Sequence, residues 1–109
     1  ALKASFLGSK MIRHILLVKF KSSASSKAIQ EVLEDFQAIA TKIDGICAVE
    51  CGKNNSVEKL NDDYSHCIQM TFNNEQSRQN YLPHPVHDAL KKKFNTVLDK
   101  IIVFDYTIS

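Results

Sequence analysis

The chain is short of glycine, proline and cysteine and has almost no net charge, with 3 Gly, 2 Pro, 3 Cys and a formal charge of +2. Each shortage removes a class of protein. The glycines are scattered, so no Gly-rich loop can cradle a phosphate, and neither a serine-nucleophile elbow nor a His-Glu-x-x-His helix is present. Nucleotide-driven chemistry has no motif to run on. Three cysteines, Cys47, Cys51 and Cys67, cannot all pair, and they lie in strand-like apolar runs. They read as buried free thiols of a reducing compartment, which places the protein in the cytoplasm. Cys47 and Cys51 face one side of a strand, but zinc needs two further ligands beside them, so no metal is expected. Fourteen Lys and Arg against 12 Asp and Glu leave no field strong enough for nucleic acid or an anionic membrane. Even the densest basic run, Lys91 to Lys93, reads as the solvated face of a helix. No apolar stretch approaches the roughly 18 residues of a membrane span.

What is present is an ordinary globular mixture, 44% hydrophobic and 24% charged, in 109 residues. That is room for one domain of modest core. Residues 1–10 carry no convincing signal-peptide pattern and read as a leader or extension, native or appended, so that the domain covers 11–109. From Ile12 to Phe20 an alternating apolar run predicts a strand with Ile12, His14, Leu16, Val18 and Phe20 on one face. A serine-rich turn offers Ser25 or Ser26 as the cap of an amphipathic helix whose apolar positions run from Ile29 to Ile43. A weaker strand over 46–52, a polar loop over 53–63 and a third strand over 64–72 follow. Asn73 with Gln76 has the form of a capping box for a short helix ending near Tyr81, which Pro83 and Pro85 break. A helix over 87–98 and a strand over 101–108 complete the chain. The order β-α-β-β-α-β is the ferredoxin-like α+β arrangement, with a four-stranded antiparallel sheet covered by helices on one face. The other face carries too many apolar groups to stay wet, which predicts a homodimer.

Chemistry-bearing side chains are few. The histidines number 4, at 14, 66, 84 and 87. Tyr81-Leu82-Pro83-His84-Pro85-Val86-His87 is the best local candidate, because a kinked connection can hold a phenol and an imidazole at the mouth of a pocket. Imidazole titrates near neutrality and a phenol can donate to a carbonyl, a pair suited to proton abstraction or enolate stabilisation. The same residues also fit a plain structural role, with Tyr81 packed at a helix end and both histidines on backbone carbonyls. Asp105, polar in an otherwise apolar strand, reads as a rim or dimer contact.

Taken together, His14-Ile15-Leu16-Leu17-Val18-Lys19-Phe20, Tyr64-Ser65-His66, Tyr81…His84-Pro85…His87 and Phe104-Asp105-Tyr106 resemble the stress-responsive dimeric α/β-barrel domain family from Met11 to Ile108. The resemblance implies a dimeric α/β barrel. It also implies a catalytic pair at Tyr81 and His87 of the kind that closes a linear polyketide by aldol condensation, the phenol positioning the thioester end and the imidazole taking the proton. His14, His66 and His84 match the family's pocket histidines, and Phe36 and Ile39 of the first helix are candidate walls. Many relatives have no established reaction and some are associated with stress tolerance or defence. The expected function is therefore binding of a small apolar or aromatic ligand in a pocket within each subunit, without a cofactor. A cofactor-free cyclase using Tyr81 and His87 is the alternative.

Overall fold

The computed structural model describes residues 10–108, so the expected leader over 1–10 lies outside the described residues save for Lys10. Four strands, β1 (Ile12–Phe20), β2 (Ile46–Lys53), β3 (His66–Phe72) and β4 (Leu98–Thr107), form one antiparallel sheet in the order β2-β3-β1-β4. Three helices, α1 (Ser26–Ala38), α2 (Glu75–Tyr81) and α3 (Pro85–Asn95), supply the second layer. This is the expected ferredoxin-like α+β plan.

The expected closure into a barrel is not found. β2 and β4 lie at opposite edges of the sheet with β3 and β1 between them, and among the described residues no ladder joins the edges. Closing a sheet requires its outer strands to pair through tilt and stagger, and an interior just wide enough for side chains takes about eight strands. Four strands backed by helices bury their apolar face without curling round.

Register decides which side chains meet. Ile12 pairs with Phe72, His14 with Met70, Leu16 with Ile68 and Val18 with His66, so β1 and β3 send these residues to the helical side. There Val18, Ile68, Met70 and Phe72 are fully buried, together with Val32, Phe36 and Ile39 from the α1 segment and Phe94 from α3. On the opposite face Leu17, Ile102, Phe104 and Tyr106 stay exposed, with Phe104 at 60%.

Helix ends show where local chemistry was legible. Ser25 caps α1, its hydroxyl accepting from the Ala28 amide at 3.0 Å. The helix stops at Ala38 and tightens into a 3-10 turn over Ile39–Thr41, shorter than the apolar periodicity to Ile43 predicts. The cap of α2 is Asn74 rather than Asn73, with its carbonyl oxygen on the Ser77 amide at 2.9 Å. Pro85 starts α3 rather than ending α2: at the first helical position its missing N–H costs nothing, and His84 before it is the cap. Cys47, expected to be buried, is exposed beside the irregularity between Ile46 and Ala48.

Gly45 joins the 3-10 turn to β2 with φ +93°, and its carbonyl accepts from the Asn73 amide at 2.9 Å. A Cβ there would stand 2.5 Å from Ser77 Oγ and 2.6 Å from Ser77 Cβ. Gly45→Ala is therefore expected to cost about 1–3 kcal/mol, read as a lower urea midpoint at constant slope. Adding Ser77→Gly should recover only the steric share, since the left-handed backbone remains. An unchanged midpoint in the single variant would show that the chain relaxes freely at this junction.

Candidate active site

The kinked segment at the α2–α3 junction positions the site. Tyr81 ends α2 with its ring buried, tilted against Phe72 at 5.1 Å between centroids and edge-on to His14 at 6.0 Å. His87 sits one turn into α3, its ring 4.2 Å from that of Tyr81. Its Nδ1 lies 2.9 Å from the Leu82 carbonyl oxygen, which can only accept, so the hydrogen is on Nδ1. In the neutral ring Nε2 then carries the lone pair, the arrangement a general base needs.

Electrostatics pull the two groups apart in character. Burial raises the Tyr81 phenol above its ordinary range, so it stays protonated and donates. Burial lowers the His87 imidazole; the Leu82 carbonyl opposes it as the next largest effect, and Lys91 and His14 then lower it further, with Asp88 raising it least. A protonated phenol beside a neutral imidazole can stabilise an enolate oxygen and remove a proton from carbon.

Behind them a chain of polar contacts orients His14. Its Nδ1–H donates to Asp105 Oδ1 at 2.7 Å, and the other carboxylate oxygen of Asp105 accepts from Arg78 Nη1 at 3.2 Å. Arg78 also pairs with Glu75. With Nδ1 engaged, His14 Nε2 is left for a ligand. Asp105, read from its sequence position as a rim or dimer contact, thus stands behind the site as the partner of His14. Register explains it, because Asp105 stands directly across from His14 on the helical face.

A cavity of about 270 Å³ opens in front of these groups. His14, Tyr81 and His87 form its polar end, and Leu16, Phe36, Leu90 and Phe94 its apolar floor. Lys91 and Asn95, both exposed on α3, form its rim, and Val103 of β4 its far wall. The structure therefore gathers four of the seven candidates, Tyr81, His87, His14 and Phe36. Ile39 is buried in the core and borders a different recess, between α1 and α3. His84 spends its Nδ1 on the Val86 amide at 3.1 Å as the cap of α3. His66 shares the helical face of the sheet with His14, but His14 pairs with Met70, four residues along β3, which separates the two by roughly 13 Å. His66 instead contacts Ser65 at 2.7 Å and Phe20, and its pKa is lowered by burial and then by Lys53. It borders a larger recess of about 450 Å³ under the loop that includes Leu60 and Tyr64, which holds none of the Tyr81 cluster. Size and chemistry point to different places, and the smaller cavity is the one with converging donors and acceptors.

Residues 12–108 match the family model described as the stress responsive A/B barrel domain. The chain belongs to this family. A stress-response A/B barrel domain-containing protein of Arabidopsis thaliana, HS1, is 32% identical over 95 residues, 87% of each chain. Olivetolic acid cyclase of Cannabis sativa is 24% identical over 96 residues, 88% of this chain and 95% of the cyclase. Among solved structures, a crystal structure of an Arabidopsis thaliana protein superposes with a TM-score of 0.85 at 31% identity, covering 90% of this chain and 95% of the other. Several ferredoxin-like structures of similar fold are described as dimeric. In this member of the family the sheet is open, and no helix among the described residues is long and apolar enough to cross a membrane.

Proposed function

We propose that the protein binds a small apolar or aromatic molecule in the cavity beside Tyr81, within each subunit of a homodimer. The observation that carries this reading is the cavity itself, an apolar floor ending in three groups that can hydrogen-bond a ligand, His14, Tyr81 and His87. At about 270 Å³ it is just below the roughly 300 Å³ at which ligand pockets begin, which favours a single ring or a short chain. Dimerisation is supported by the exposed apolar row of Leu17, Ile102, Phe104 and Tyr106 on the outer face and by the dimeric relatives of the same fold.

The test is a titration with 4-propylphenol followed by amide chemical shifts. Saturable shifts are expected at Leu16, Tyr81, Leu90 and Phe94, with the loop around Leu60 unmoved. His87→Ala should change the affinity only modestly, because most contact area is apolar. Shifts that never saturate, or that gather around Leu60 and Tyr64, would remove this reading.

A second reading is a cofactor-free cyclase of the aldol type. It is favoured by the Leu82 carbonyl fixing the His87 tautomer, by the adjacent Tyr81 ring, and by the likeness to olivetolic acid cyclase. In it His87 Nε2 takes the proton from the nucleophilic carbon, and the Tyr81 hydroxyl donates to the carbonyl oxygen on which charge develops.

A further inference from the structure

We propose that the molecule held in this cavity carries a carboxylate, and that Lys91 receives it at the rim. This deepens the binding reading above and rests on it.

Three lysines follow one another on α3, and their surroundings differ. Lys92 Nζ lies 3.4 Å from Asp88, and Lys93 Nζ lies 2.8 Å from Asp35 and 3.9 Å from Glu31. Lys91 has no carboxylate within 4.0 Å among the described residues, and it alone of the three borders the cavity. It stands one helical turn after His87 and one before Asn95, so the three side chains form a stripe along the wall. Helix geometry therefore sets an unpaired ammonium and a primary amide above an apolar floor.

Among the described residues no Asp or Glu borders the cavity, and Lys91 is the one permanently charged residue on its wall. Asp105 behind the cavity is already held by His14 and Arg78, and Asp88 beside His87 pairs with Lys92. An anion at the rim thus meets a cation and an amide donor without facing an opposing free carboxylate. The apolar part of the same ligand lies against Leu90 and Phe94. A carboxylate on a short chain or a single ring fits both the charge and the volume, whereas a cationic amphiphile meets Lys91 with like charge.

Calorimetric titration of the full chain with octanoate, octanol and octylamine tests this. Octanol is the more hydrophobic of the first two, so burial alone ranks it ahead of the acid. Octanoate is nevertheless expected to bind about tenfold tighter than octanol, the worth of one charge-assisted hydrogen bond, with octylamine weakest. Lys91→Gln should bring octanoate down to the level of octanol or below while leaving octanol unchanged. Lys92→Gln, which removes the same charge one residue away, should keep the preference. Equal binding of octanoate and octanol by the unaltered protein, or a preference that survives Lys91→Gln, overturns the assignment and leaves the cavity reading intact. If no ligand binds, 4-propylphenol included, the cavity reading fails and this inference fails with it.

Discussion

Phe72→Ala is expected to lose about 3–5 kcal/mol of stability, a large share of the roughly 5–15 kcal/mol that holds a domain of this size. Phe72 has no exposed surface, pairs with Ile12 on one side and Ile46 on the other, and packs at a tilt against Tyr81. Truncation removes the ring's burial and leaves a void that a sheet pinned on both sides cannot collapse into. The loss should be read as a lower urea midpoint with unchanged slope. The site should feel it as well, because Tyr81 and His14 both lean on the missing ring. A loss below about 1 kcal/mol would mean that the β3 core repacks, contrary to close packing around a fully buried ring.

His87→Ala is expected, under the cyclase reading, to abolish turnover with the dimer intact. A positioned acid or base contributes about 10²–10⁴-fold, and alanine leaves no group to take the proton. The imidazole is only half-buried and its hydrogen bond to the chain is local, to Leu82 five residues earlier, so folding and assembly should not depend on it. Light scattering should give a dimer mass for both proteins, and a concentration-independent monomer mass across the micromolar range would refute the dimer. The unaltered enzyme should lose activity on acidification as His87 gains a proton. Since burial lowers that pKa, the acid limb should lie below the ordinary value of 6.5. Turnover in His87→Ala equal to that of the unaltered protein would sink the cyclase reading and leave binding as the role of the cavity.

How much of this was legible in the sequence can be seen element by element. The bounds of β1 are legible, because Ile12 to Phe20 alternates strongly enough for period two to win outright. A cap at Ser25 or Ser26 is legible because a capping partner lies three residues on, and the Ala28 amide selects Ser25. The role of Pro85 is not legible, because proline ends one helix and begins another with equal ease, and only the capping geometry of His84 separates the two. Tyr81 and His87 were legible as a pair because a short kinked segment joins them. Asp105 was not, since its partners lie 91 and 27 residues distant.

The amino-acid sequence by itself determined the order and type of the elements, the ferredoxin-like plan and the local Tyr81–His87 candidate. These follow from periodicity, caps and turn residues within a few positions of one another. Only the tertiary structure decided that the sheet stays open, that His66 stands apart from His14, that Asp105 orients His14 and that Lys91 rims the cavity. Each of those depends on strand register and helix placement, which a one-residue slip would change while leaving the sequence pattern untouched.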